Sequence, residues 1–331
     1  MNDSADGRAE TYEQQVSRYV AFADAQVPDL LSPRRAAALE RMGQAHTALH
    51  EALRWLIEQD EVVPAARMIR ALRSYWQERG LVTEGQEWTA KALAMPSAAA
   101  LTDARATLLD QAAVLAVSAG DLTTARTLAE EALAIRSQPG MDALLPNMLA
   151  HLALIIREAD HDYERARSLL EQAVRLGRER GNTYIHRSAL YRLAQVAIDQ
   201  HDISRARDAL EENVAVARAT GDEWALGLVL GVFGVLAAQE GDPVRALRLA
   251  GAGAANRPGI GFGGKEQAWL DRLLAPARQA LDADAQAAAW AQGQGMPLQQ
   301  ALDDALSDPT RPLGQPREPP SSRYASAPAC P

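Results

Sequence analysis

The chain has 331 residues, room for about two domains of ordinary size or one elongated array. Apolar residues make up 47% of it and aromatics only 5%, with Ala and Leu carrying most of the apolar content, a balance that favours helix over a β-sandwich. A formal charge of −9 argues against broad nucleic-acid binding, and one cysteine, Cys330, leaves neither an internal disulfide nor a cysteine-based zinc site.

Residues 1–9 are polar and acidic, lack the apolar core of a secretory signal, and read as a loose N-terminus. Residues 10–60 read as a helical cap. One helix runs from Tyr12 to Val27, a break follows at Pro28 and Ser32-Pro33, and a long helix runs from Pro33 to Gln59. Residues 61–255 read as helix pairs. The longest apolar run, Trp224 to Ala238, is rich in Gly and Ala and suits a helix buried between other helices, not a membrane span. A Gly-rich loop occupies 256–264. Residues 265–306 read as a helical end cap, one longer helix followed by Asp284–Ala291 and Pro297–Leu306. The tail 307–331 is rich in Pro and Ser and is expected to be disordered. The expected compartment is the cytoplasm.

A period of about 40 residues organises the middle of the chain. Its copies are Gly120-Asp121-Leu-Thr-Thr-Ala125-Arg126, His161-Asp162-Tyr-Glu-Arg-Ala166-Arg167, His201-Asp202-Ile-Ser-Arg-Ala206-Arg207 and Gly241-Asp242-Pro-Val-Arg-Ala246-Leu247, with a fainter one at Gly80-Leu81-Val-Thr-Glu-Gly85-Gln86. Seven residues after each small anchor stands Ala92, Ala132, Ala173, Asn213 or Gly253, on the same helix face two turns on. The Gly tolerates the left-handed conformation that ends a helix, and His is a costlier substitute. The Asp that follows is placed to cap the next helix. Each period therefore predicts a helix, a tight turn and a second helix. The fold class is all-α: a right-handed superhelix of about five pairs between helical caps.

Helix pairs with Gly-Asp-hydrophobic-x-x-Ala at the inner turn resemble tetratricopeptide repeats, although the period exceeds the standard 34. A more specific resemblance covers residues 15–306. It rests on Arg18-Tyr-Val-Ala-Phe-Ala-Asp24, on Arg41-Met-Gly-Gln-Ala-His46-Thr-Ala-Leu-His50-Glu-Ala-Leu-Arg-Trp55-Leu56 and on Arg73-Ser-Tyr-Trp76-Gln-Glu-Arg-Gly80. It also rests on Glu84-Gly85-Gln-Glu-Trp88-Thr-Ala-Lys-Ala-Leu93 and on the ending from Ala289-Trp290 to Ala301-Leu302. These segments resemble the helical arm of large bacterial regulators, multidomain signalling NTPases of the LuxR type and the antibiotic-regulatory-protein type. The resemblance implies a sensor or scaffold arm in signalling or transcription regulation. The nucleotide-binding and DNA-binding domains of such regulators have no counterpart before Tyr12 or after Leu306. The expected gene product is the arm alone, free-standing, split or truncated.

The first helix of each pair is expected to line a concave groove. By repeat register its polar residues are Asp110, Ser118, Asn147, His151, Ser188, Tyr191, Arg192, Gln195 and Asp199, and the fifth pair adds Leu228, Gly231, Val235 and Gln239. Chaperone-type tetratricopeptide grooves resemble a clamp of Lys, Arg and Asn for a carboxylate, and here only Arg192 and Asn147 fit that role. A mixed, partly apolar groove suits a helix or an extended peptide. The expected function is non-catalytic binding of a protein or peptide partner, such as an NTPase or DNA-binding regulator. The alternative is a sensor holding a small regulatory ligand. No direct nucleic acid, membrane, metal or cofactor is expected.

Two motifs carry a sharper chemistry beside an ordinary reading. Gly259-Ile-Gly-Phe-Gly-Gly264-Lys265-Glu266 satisfies the phosphate-loop spacing, but Glu266 stands where Ser or Thr would bind magnesium and no strand precedes it, so an inter-helix loop is expected. His46 and His50 share a helix face at i and i+4 with Glu51 adjacent, a spacing that can share a metal. The order is not H-E-x-x-H and no third ligand is evident, so helix-packing histidines are expected. His161 and His201 are expected to serve the turns, and Trp55, Tyr75, Trp76 and Trp88 to form a core knot. No spacing suggests a Ser-His-Asp or Cys-His set, so an enzyme is not expected.

Overall fold

The computed structural model describes residues 11–30, 34–100, 102–256 and 264–307. Every regular element among them is helical. In order these are α1 (Tyr12–Leu30), α2 (Arg35–Gln44), α3 (His46–Glu58), α4 (Val62–Glu78), α5 (Val82–Leu93), a short 3-10 turn (Pro96–Ala99), α6 (Asp103–Ala119) and α7 (Leu122–Arg136). They continue as α8 (Leu145–Ala159), α9 (Tyr163–Glu179), α10 (Thr183–Asp199), α11 (Ile203–Ala219), α12 (Glu223–Gln239), α13 (Pro243–Ala255), α14 (Gly264–Gln279), α15 (Ala283–Gln294) and α16 (Leu298–Leu306). The all-α reading holds. None of the described helices is long and apolar enough to cross a membrane. The N-terminal residues, most of the Gly-rich loop and the Pro/Ser tail lie outside the described residues.

The repeated turn is built as its residues dictate. Gly80, Gly120 and Gly241 take φ of 71°, 86° and 84° at the turn position, and His161 and His201 take 52° and 58° at the same place. In the four strong copies the following Asp accepts a hydrogen bond from a backbone N–H one turn into the next helix: Asp121 from Thr124, Asp162 from Arg165, Asp202 from Arg205, and Asp242 from Arg245, each at 3.0 Å. Each such cap satisfies one of the helix's free donors and is worth about 1 kcal/mol. The result is five helix pairs: α4/α5, α6/α7, α8/α9, α10/α11 and α12/α13.

The chain divides into two compact units, 1–141 and 142–331, at the breaker Gln138-Pro139-Gly140. In the first unit the core gathers Met42, Leu49, Leu53, Met68, Ile69, Leu72 and a fully buried Trp76. Tyr75 and Trp88 are buried beside them and Trp55 packs half-buried on the edge, which is the expected aromatic knot. The helix expected over Pro33–Gln59 is broken at Ala45 into α2 and α3. Gly43, a poor helix residue, lies just before the break, and His46 becomes the first residue of α3. Conversely α1 runs past Pro28 to Leu30, forgoing the backbone hydrogen bond that proline cannot donate.

In the second unit the core lies between the stacked pairs, with Leu152, Ile155, Leu170, Leu190, Leu193 and Leu230 fully buried. Small residues set the closest approaches. A Cβ on Gly293 of α15 would come within 1.9 Å of the Arg248 carbonyl of α13, and one on Gly251 within 2.5 Å of the Trp290 carbonyl. Only glycine permits that backbone contact, which seats α15 on α13. Arg245 reaches the carbonyls of Ala305 and Ser307, satisfying acceptors at the C-terminal end of α16. Helices α15 and α16 thus cover α13 as an end cap, and the cap Asp282 starts α15 at Ala283, one residue earlier than expected.

Candidate functional site

The polar face expected to line the groove in the second unit is made by α8 and α10. Tyr191, Gln195 and Asp199 stand one turn apart on α10 and point to a common side. The structure places α14 of the same chain on that side. Glu266 accepts a hydrogen bond from the Tyr191 hydroxyl at 2.5 Å and one from Gln195 Nε2 at 2.7 Å. One turn further, Trp269 donates its indole N–H to Asp199 Oδ1 at 3.1 Å. Asp199 Oδ2 in turn receives Arg157 Nε of α8 at 2.6 Å. The Arg157 guanidinium lies 5.4 Å from the Trp269 ring centroid, within cation–π reach.

The sequence of α14 explains the seat. Trp269, Leu270, Leu274 and Ala277 form a helical stripe that is buried, and Glu266 lies at its N-terminal end. The stripe packs on α12 and α13. Leu270 packs over Gly231 of α12, where a Cβ would lie in ordinary contact, 3.7 Å from its methyl. The Arg192 guanidinium is pushed below its ordinary pKa by burial, opposed by the negative charge of Glu266.

The nine polar residues singled out from the sequence therefore separate into three groups. Tyr191, Gln195 and Asp199 are engaged by α14, and Arg192 faces Glu266 electrostatically. Asn147, His151 and Ser188 are half-buried on α8 and α10. Asp110 belongs to the first unit, where it is buried and accepts a hydrogen bond from Gln111 at 3.0 Å. Ser118, also in the first unit, accepts from Gln77 at 2.7 Å. The residues that complete the site, Glu266, Trp269 and Arg157, were not among those expected. In the sequence Glu266 stands out only as the misfit in a phosphate loop. Its carboxylate is held by Tyr191 and Gln195, and the segment before the loop is the helix α13, not a strand. Residues 257–263 of that motif lie outside the described residues.

The first unit holds a second polar cluster. His46 and His50 of α3 have ring centroids 4.1 Å apart. The carboxylate beside them is Glu84 of α5, not the adjacent Glu51: Glu84 Oε1 lies 2.8 Å from His50 Nδ1 and 3.7 Å from His46 Nε2. The Tyr75 hydroxyl is 3.2 Å from His46 Nδ1. Burial, aided by the charges of His46 and Arg54, lowers the pKa of His50 to about 4, so it is neutral at pH 7.

No family model matches the sequence, and no curated protein matches it. Among solved structures, BtubC (BKLC) from P. vanneervenii is similar at a TM-score of 0.52 and 17% identity, over 85% of this chain and 99% of that one. The likeness is one of fold.

Proposed function

We propose that this chain is a non-catalytic, tetratricopeptide-like binding module that captures an amphipathic helix of a protein partner on the α8/α10/α12 face of its second unit. The observation that carries the reading is the seat of α14. It presents an acid and, three residues later, a tryptophan to a ring of complementary groups: Tyr191 and Gln195 for the carboxylate, Asp199 and Arg157 for the indole. This is helix-in-groove recognition, read by anchors at i, i+3 and i+4. The chain's own helix defines the chemistry a partner helix must present. A regulatory arm of the LuxR-type or antibiotic-regulatory-protein type, acting in the cytoplasm on an NTPase or DNA-binding partner, is the biological setting we favour.

The test uses the full chain with Glu266→Lys, which sets a cation against Arg192 and loosens α14 from its seat. A fluorescent peptide of residues 264–281 is titrated into the variant and the parent. We expect the variant to bind it at least about tenfold more tightly, since a lost charge-assisted hydrogen bond is worth about 1.5–3 kcal/mol. A peptide with Ala at both anchor positions should not bind. Absence of peptide binding to the variant at near-millimolar concentration sinks the proposal. A second reading, a small anionic regulatory ligand, is favoured by the half-buried guanidinium of Arg192, which faces the Glu266 carboxylate. It predicts instead that small dicarboxylates raise the Tm of the parent chain and that Arg192→Gln removes the effect.

A further inference from the structure

We propose that His46, His50 and Glu84 form a binding site for one divalent transition-metal cation of the zinc type. One ligand atom from each of the three side chains lies within 4.8 Å of the others. A tetrahedral zinc with bonds of about 2.0–2.1 Å holds its ligands roughly 3.3 Å apart. The pairs at 2.8 and 3.7 Å bracket that spacing, so small rotamer adjustments bring the set onto a common centre. Two imidazoles and a carboxylate are a donor set that zinc and its first-row neighbours take, leaving positions open for water or a further ligand.

The surroundings favour ligation over a simple ion pair. The Tyr75 hydroxyl lies 3.2 Å from His46 Nδ1 and can accept its proton when Nε2 ligates a cation, the outer-shell bond that orients a ligating imidazole. His50 Nε2 is buried without a hydrogen-bond partner, and its ring packs 5.4 Å from Trp88 and 6.3 Å from Trp76. Nδ1 is thus the atom it offers to the cluster. Glu84 is held in place by its neighbour. A Cβ on Gly85 would lie 2.7 Å from the Trp76 ring, so only glycine lets α5 come close enough to bring Glu84 over α3. The side chains of His46 and Glu84 are 34% and 28% exposed, which leaves an entry path from solvent.

The test is made on the untagged full chain, stripped with a chelator. Zn2+ is titrated by calorimetry and Co2+ by visible absorbance. We expect one cation per chain with a dissociation constant in the micromolar range or below, and Co2+ bands from nitrogen and oxygen ligation. His46→Ala and Glu84→Gln should each weaken binding at least about tenfold, with Tyr75→Phe also weakening it. His151→Ala, in the second unit, should leave binding unchanged. Circular dichroism checks that each variant is folded, and His46→Ala, at a partly exposed position, keeps the test informative where His50→Ala unfolds. A parent chain that binds no Zn2+ below about 1 mM, or folded variants that bind as the parent does, overturns the proposal.

Discussion

The two units, built from the same kind of helix pair, treat their polar residues in opposite ways. In the second, the carboxylate of Glu266 and the indole of Trp269 satisfy the polar face of α10 from within the chain. In the first, His46, His50 and Glu84 converge with ligand atoms left facing one another and partly open to water. A buried polar group must find a partner, and the partner is supplied by a helix in one case and by a small side-chain cluster in the other. The lesson is that the repeat specifies the scaffold, while the residues between and beyond the repeats decide what each face offers.

Four substitutions sharpen that contrast. The largest effect is expected from Trp269→Ala, which empties a buried aromatic seat, removes the N–H donated to Asp199 and removes the ring beside Arg157. We expect a loss of about 3–5 kcal/mol in urea unfolding of the second unit's transition, and no change in Zn2+ binding. An unchanged transition would mean that α14 is not seated on α10. Next comes Gly85→Ala. Its methyl would meet the Trp76 ring at 2.7 Å, so we expect about 1–3 kcal/mol of destabilisation together with weaker cation binding, since Glu84 moves with α5. The reverse change at the equivalent position of the second unit, Ala166→Gly, should cost only about 1 kcal/mol. Cation binding that survives Gly85→Ala intact would separate Glu84 from the cluster. The smallest effect is a gain: His161→Gly relieves a side chain held at φ 52°, and we expect a rise in Tm equivalent to about 0.5–1 kcal/mol. A fall in Tm would show that the Tyr163 hydroxyl, 3.5 Å from His161 Nδ1, contributes more than the backbone strain costs.

The turns were legible because they are local. Gly or His before Asp, repeated every 40 residues or so, encodes a left-handed residue and a cap within four positions, and Gly120, His161, His201 and Gly241 take that conformation. The seat of α14 was not legible. Nothing near Tyr191 says that Glu266 will meet it, because the pairing is fixed by how α14 packs on α12 and α13. The available hint was in α14 itself, where Glu266, Trp269, Leu270 and Leu274 share one helical face. Glu84 left a similar trace. At its register the other copies carry Thr124, Arg165, Arg205 and Arg245, so an acid there is the exception. The break at Ala45 was missed because the apolar pattern of α2 and α3 runs on across it, and Gly43 alone is weak evidence for a stop.

The helix seated on α10 is covalently joined to α13 through residues 257–263. A short tether of that kind holds its end at an effective concentration on the order of 1 mM. A free competitor meets a site that is already occupied at that concentration. If the isolated α14 sequence binds with a dissociation constant of about 10 μM, the tether weakens the apparent affinity of every outside helix roughly a hundredfold. On the proposed reading, partner choice is set by a threshold, and only a helix that outperforms the resident one is admitted. Small changes to Glu266 or Trp269 would then move that threshold without touching the face proposed to bind.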